Sequence, residues 1–282
     1  MTEDPIGKCP DVSPLRIPSH RTNEPTKVEC SLVHAQNALL VQSRRDRAGE
    51  SHIHGWGVSA YEDHTPIWDR QAWAAYHGEH FRRAAARIYA ETVLAHVRKA
   101  TVGPPSIDNT HPFVDKHLSF IHNGTVPGSA AMRERMLTKM TDVHRNAIQG
   151  DTDSEHVFRL LLSIWAEAPA KPLTEVVRET IRQVLAWCEE CRPGAPIGLN
   201  IMLTDGVELV GTRLGRTLFH ARRDGIHDCE ICGFPHVHHQ PEKDYRAIIV
   251  ASEPITHEVW NEMLDHSIYR ASSDLDWRIE PL

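Results

Sequence analysis

The chain has 282 residues, of which 40% are hydrophobic and 24% charged, with a net charge of −7 at pH 7. This is a globular profile with material for a sizeable core. Its acidic balance argues against a general nucleic-acid binder, which needs clustered Lys and Arg. No apolar run approaches the ~20 residues of a membrane span, and the polar opening MTEDPIGKCPDVSP lacks a basic segment leading into an apolar one. No secretory signal is therefore expected, and the cytoplasm is the default location.

Residues 1–14 carry three prolines and no apolar periodicity, and are expected to form a flexible extension ahead of one domain over 15–282. Short strands and one helix are expected over 15–61. VSAY reads as a strand ended by the turn EDHTP. Residues 70–87, rich in Ala and Arg with spaced aromatics, read as an amphipathic helix. TVLAHVRKAT alternates as a strand whose end carries Arg98. LSFIHNG reads as another strand, stopped by Asn-Gly, a strong turn signal. A helix is expected over 132–148, and Thr152-Asp153-Ser154-Glu155 forms a T-x-x-E capping box before HVFRLLLSIWAEA. A further helix covers 173–188, and GLNIMLTDG, VELVGTRLG, TLFHAR and YRAIIVASEPI read as strands. Strands, two long helices, then strands again predict an α+β layered fold rather than βαβ winding.

Four blocks follow one another along this pattern: NALLVQS with HGWGVSAY (37–43 and 54–61), AHVRKATVG with NTHPF (95–103 and 109–113), FIHNG (120–124) and GDTDSE (150–155). Together with LNIMLTDG and VASEP they resemble the class II glutamine amidotransferases, particularly the small stand-alone bacterial branch, over about residues 15–254. The resemblance implies a four-layer αββα Ntn-hydrolase sandwich with two packed antiparallel sheets, acting on glutamine or a related α-amino acid. A synthase partner would supply the ammonia acceptor. The chemistry itself requires no cofactor.

The resemblance also implies roles. Arg98, with Thr101 close behind it, would grip the substrate α-carboxylate, a task suited to a guanidinium fork. The alternative for Arg98 is a surface arginine paired with a carboxylate. Asp153 would hold the substrate ammonium, although a first-turn Asp also complements a helix dipole. Asn123 and Gly124 would form the oxyanion hole, where one donor is typically worth about 3 kcal/mol of barrier; a plain hairpin turn is the bland alternative. Trp56 would wall the site. His54 stands where that branch usually carries Asp. His96 and His122 flank these residues and read either as satisfied structural histidines or as pocket histidines of altered chemistry.

The family nucleophile is an N-terminal cysteine whose own α-amino group acts as base. Leu15-Arg16-Ile17 aligns with that start, so Leu15, with fourteen residues before it, stands at the nucleophile position. Leucine has no nucleophilic atom, and its nitrogen is an amide. Two readings follow: an amidotransferase hydrolysing the glutamine amide through another group, Cys9 being the upstream option, or a catalytically inactive amino-acid-binding or regulatory subunit. Cys30 reads as a packed small hydrophobe.

Six cysteines and twenty histidines remain to be placed. Cys229-Glu-Ile-Cys232-Gly-Phe-Pro-His236-Val-His238-His239 has the composition of a zinc knuckle, with Cys229, Cys232, His236 and either His238 or His239 as ligands of a closed structural site. A loop of reduced cysteines is the alternative. Cys188 and Cys191 share a helix face and would join that site, form a redox pair, or do neither.

Overall fold

The computed structural model describes residues 15–237 and 244–282. Its elements in chain order are β1 (Leu15–Arg16), β2 (Pro18–Lys27), a π-type helical turn (Cys30–His34), α1 (Leu39–Arg44), β3 (Trp56–Glu62), β4 (Thr65–Gln71), α2 (His80–Arg87), β5 (Tyr89–Arg98), β6 (Phe113–Asp115), β7 (Leu118–Thr125), α3 (Ser129–Lys139), α4 (Asp142–Asn146), α5 (Asp153–Glu167), α6 (Leu173–Cys191), β8 (Gly198–Thr204), β9 (Leu209–Arg213), β10 (Phe219–Asp224), β11 (Arg246–Ala251), β12 (Asn261–Glu262), β13 (Ser267–Ala271) and β14 (Trp277–Pro281). They build two antiparallel sheets. An eight-stranded sheet runs β12-β10-β11-β2-β5-β3-β4, with β1 beside β5, and a six-stranded sheet runs β14-β13-β9-β8-β7-β6.

The period of two along each strand sorts side chains into layers. On β5, Leu94 enters the core between the sheets, together with Ile121 of β7 and Met202 of β8. Its neighbours Val93, Ala95 and Val97 face the other way and pack with Leu39, Leu40 and Phe81 of α1 and α2. On the six-stranded sheet, Phe120, Ile201 and Leu203 meet the apolar faces of α5 and α6, including Leu161, Val177 and Val184. Phe120 stacks on Phe158 of α5 with ring centroids 5.1 Å apart. Helices thus cover both outer faces of two packed sheets, giving the expected αββα sandwich.

Local chemistry explains several boundaries. Thr152 caps α5 by accepting the Glu155 N–H at 3.2 Å. Glu155 does not complete the reciprocal capping box. Its carboxylate instead accepts the N–H groups of Gln149 (2.9 Å) and Gly150 (2.7 Å) and so fixes the approach to the helix.

Two expectations are corrected. The helix expected over 70–87 is confined to α2, because residues 65–71 form β4 and pair with β3 from Trp56↔Gln71 to Glu62↔Thr65. The Asn-Gly pair does not end its strand: β7 runs through both residues, opposite Asn200 and Leu199 of β8. The glycine serves a close approach instead, since a Cβ on Gly124 would lie 2.0 Å from the Gly198 carbonyl oxygen.

Candidate functional site

The ends of β1, β5, β7 and β11 meet at one edge of the sandwich. Leu15 opens β1 opposite Arg98, the last residue of β5. Arg16 follows, and its guanidinium Nη2 lies 2.8 Å from Asp46 Oδ2 and 2.8 Å from Glu253 Oε1, with all three side chains buried. Asp46 also accepts the Glu50 N–H at 2.8 Å and contacts His52 Nε2 at 3.0 Å. Burial alone would raise the Asp46 carboxyl. The Glu50 N–H, His52 and Arg16 outweigh it and hold the group below the usual carboxylate range. Next, the Ile17 N–H donates to Ser252 Oγ (3.3 Å), the same hydroxyl that accepts Asn123 Nδ2 at 2.9 Å. The start of the chain's first strand and the predicted oxyanion residue are therefore tied to one serine at the end of β11.

Arg98 ends β5 with its backbone locked in a reciprocal pair, His54 N–H to Arg98 O (2.9 Å) and Arg98 N–H to Gly55 O (2.8 Å). Its guanidinium donates to the carbonyls of Val102 (2.8 Å), Gly103 (3.2 Å) and Pro104 (3.2 Å), three bonds for a group with five N–H donors. Burial pulls the Arg98 guanidinium below its ordinary value, and the negative charge of Asp153 partly offsets that. Asp153, at the first position of α5, accepts the Val126 N–H at 2.7 Å and the Ser154 N–H at 2.9 Å. Thr101 Oγ1 lies 3.4 Å from Thr125 Oγ1, adjacent to Gly124. A cavity of about 300 Å³ opens beside Asp153, lined also by Val102, Val126, Asp151 and His156. Arg98, Thr101, Asn123, Gly124 and Asp153 thus come from sequence-distant segments to one region, bridged by Val126 and Thr125.

Trp56 is not beside them. It pairs with Val97 on β5 and shares that residue's face, the helix-covered side of the sheet. There it is fully buried, 5.2 Å from and edge-on to Phe81. Strand parity therefore makes it a core residue on the face opposite Arg98, a correction to the site wall expected from the motif.

Residues to which the sequence assigns no role hold the site together. Asn109 donates to Pro104 O (3.0 Å) and accepts the Asp151 N–H (2.7 Å), joining the loop under Arg98 to the segment leading into Asp153. His54 Nδ1 accepts the Ala100 N–H at 2.9 Å, an acceptor role that the carboxylate usual at this position could also fill. Asn37 donates to Glu253 Oε2 (3.1 Å) and to Pro254 O (2.8 Å). Asn37 and Asn109 both belong to the family-like blocks, so the blocks were visible and the bonding roles were not.

The two flanking histidines differ. His122 is satisfied by Ser154 Oγ (2.8 Å) and Gly198 O (2.9 Å). His96 is fully buried without a geometrically sound protein hydrogen bond at either ring nitrogen. Its ring packs against that of His111, with centroids 4.1 Å apart and the planes tilted by 33°. Burial, together with neighbouring positive charge, pushes both imidazoles well below their usual value, so both are neutral.

Away from this edge, Cys30, Cys229, Cys232 and His236 form a cluster with all four ligand atoms within 4.8 Å of one another. Cys30 is thus part of a polar cluster and not merely a packed small hydrophobe. His238 and His239 lie outside the described residues, as do Cys9 and the expected N-terminal extension. Cys188 and Cys191 take no part in this cluster. Cys188 is buried against Met132, its Sγ 4.0 Å from the thioether sulfur.

Comparison with known proteins agrees with this architecture. The family model for class II glutamine amidotransferases matches residues 30–272. A probable glutamine amidotransferase of Saccharomyces cerevisiae is 27% identical over 270 residues, covering 83% of this chain and 74% of the yeast protein. A gamma-glutamyl-hercynylcysteine sulfoxide hydrolase of Mycobacterium tuberculosis is 30% identical over 193 residues, covering 67% of this chain and 72% of its own length. A class II glutamine aminotransferase domain protein from Silicibacter pomeroyi superposes with a TM-score of 0.62 at 17% identity, over 95% of this chain and 99% of that structure. A predicted glutamine amidotransferase from Pseudomonas aeruginosa gives 0.58 at 21% identity, over 92% of this chain and 97% of that structure. The two packed antiparallel sheets with helices on both outer faces are the fold of the Ntn-hydrolases. The chain belongs to the class II glutamine amidotransferase family. Among the described residues no helix is long and apolar enough to cross a membrane.

Proposed function

We propose that this chain binds glutamine or a γ-glutamyl compound through Arg98 and Asp153 and does not hydrolyse it by the family's N-terminal thiol route. The observation that carries the reading is Leu15 at the head of β1, opposite Arg98. An alkyl side chain there cannot attack a carbonyl carbon. Its nitrogen, acylated by Pro14, cannot take a proton as an α-amine does. The ligand-holding groups are separable from that loss. Asp153 accepts two backbone N–H groups and, at 3.5 Å, the Ser154 hydroxyl, and a carboxylate offers about four acceptor positions, which leaves capacity for an ammonium. Arg98 retains donors beyond its three loop carbonyls. Asn123 and Gly124 would then orient the side-chain carbonyl of the ligand rather than stabilise an oxyanion. A synthase partner belongs to the active alternative, because without released ammonia none needs to be channelled.

The test is calorimetric titration of the full chain with L-glutamine, L-glutamate and a γ-glutamyl peptide, beside an assay of glutamate release and an intact mass. Saturable binding without glutamate release, lost in both Arg98→Lys and Asp153→Asn, is expected. Glutamate release by a chain whose mass begins at Cys9 would overturn the reading and the placement of Leu15 with it. A variant that lacks residues 1–14 and carries Leu15→Cys at its new terminus is expected to gain glutaminase activity.

A further inference from the structure

The structure assigns a structural zinc site to Cys30, Cys229, Cys232 and His236, a closed Cys3His set in which Cys30 ties the π-type turn to the 229–236 knuckle. The spacing suits the ion. Tetrahedral zinc with Zn–S near 2.3 Å and Zn–N near 2.0 Å sets ligand atoms roughly 3.5–3.8 Å apart. The four atoms already lie within 4.8 Å of one another, and Cys232 Sγ is 3.2 Å from His236 Nε2. A single ion at the centre needs only a small adjustment.

The backbone around the knuckle is built to present two sulfurs. The Ile231 N–H points at Cys229 Sγ (3.4 Å), the Gly233 N–H bonds Cys229 O (2.8 Å), and the Cys229 N–H bonds Phe234 O (3.1 Å). Gly233 adopts φ +74°, the left-handed conformation that lets the turn close after Cys232. These bonds aim both sulfurs of Cys-x-x-Cys in one direction, toward Cys30. All three cysteines are free. One disulfide would use two of the sulfurs and strand the third beside the imidazole, whereas one divalent ion satisfies all four groups. Three thiolates and an imidazole favour zinc over hard, oxygen-seeking cations. With four protein ligands no position stays open for a substrate, so the site is structural.

The tie has a definite mechanical position. Lys27 N–H donates to His236 O (2.9 Å), and Thr26 bridges to Val237, so the knuckle docks on the end of β2. The turn that carries Cys30 continues to Asn37, whose side chain holds Glu253 and Pro254. A metal here would lock the 229–237 segment onto the layer that supports the candidate ligand site without touching that site.

The experiment uses the full chain purified under reducing conditions without a metal-affinity step. Elemental analysis is expected to find one zinc per chain. Replacement by Co2+ alone is expected to give visible bands of tetrahedral coordination with near-ultraviolet thiolate charge transfer. Cys30→Ser is expected to weaken zinc affinity at least tenfold and to reduce the charge-transfer intensity by about a third, one of three thiolates. If that variant does not fold, alkylation of the wild type gives the same answer: chelation should raise labelling of Cys30, Cys229 and Cys232 together, while half-buried Cys191 is indifferent. A chain that binds neither zinc nor Co2+ with its thiols reduced would overturn the site. So would Cys30 labelling or a Cys30→Ser spectrum that ignores the metal.

Discussion

Replacing Arg16 by methionine should destabilise the chain by about 3–5 kcal/mol, the cost typical of removing one partner from a buried ion pair. The upper half of that range applies because two carboxylates lose the Arg16 guanidinium at once, and the one that remains near Glu253, Arg47 at 3.8 Å, is largely exposed. Asp46 and Glu253 each lie 2.8 Å from Nη2, with side-chain exposures of 0% and 5%. Using roughly 2.1 cal/mol/K per residue for the unfolding entropy, that upper half corresponds to a fall of about 7–8 °C in Tm for a chain of this length. Urea denaturation at pH 7 followed by circular dichroism would measure it. Combining Arg16→Met with Asp46→Asn and Glu253→Gln should recover most of the loss, because the amides keep acceptors for the Glu50 and Arg47 N–H groups without stranding charge. Acidification gives an independent check. A carboxyl held below its unfolded value stabilises above that value and loses the contribution as pH falls through the folded one. The wild-type advantage over Arg16→Met should therefore shrink below about pH 4. A loss under about 1 kcal/mol, or a triple variant no more stable than the single one, would refute this account of the network.

Three further outcomes follow from the geometry. Thr152→Ala removes the α5 cap and should cost about 1 kcal/mol in urea denaturation, with Thr152→Ser close to wild type. Gly124→Ala forces a Cβ against the Gly198 carbonyl; it should cost at least about 1–3 kcal/mol as an overpacking change and should weaken glutamine binding in the same calorimetric assay. His111 is neutral in the folded chain and protonates in the unfolded one, so it favours unfolding as pH drops below about 6.5. His111→Leu should flatten the fall in stability below pH 6.5, by up to about 1.4 kcal/mol per pH unit, measured by denaturation at each pH.

The parts of the fold visible in the sequence are those whose signal is local. Thr152 with Glu155 marked a helix start, the alternation of TVLAHVR marked β5, and the blocks carrying Arg98, Asn123 and Asp153 marked the edge where they meet. β2 was far harder to read. Its sequence PSHRTNEPTK contains two prolines and almost no apolar residue, yet it lies between β11 and β5 with most side chains buried. Several of its polar side chains find partners in remote segments: Arg21 bonds Val207 O, and Asn23 bonds Asp244 O. No windowed pattern contains such partners. The same holds for Cys30, whose companions lie about two hundred positions away, in a segment with enough histidines of its own to suggest a complete ligand set. Trp56 was hard to place for a different reason: the face it occupies depends on pairing register with Val97, which a one-dimensional reading does not fix.

The position of β2 has a consequence for synthesis. One of its two neighbours is β11, which contributes bonds such as Arg246 N–H to Asn23 Oδ1 across 223 residues of chain. A nascent polypeptide leaving the ribosome exposes that edge of β2 until residues 246–251 have emerged. Loops that long close slowly, and open strand edges invite pairing with other chains. The eight-stranded sheet therefore cannot be completed during translation of its first two hundred residues. Productive folding is tied to the arrival of the last quarter of the chain, and truncations within that quarter should yield aggregates rather than a smaller stable domain.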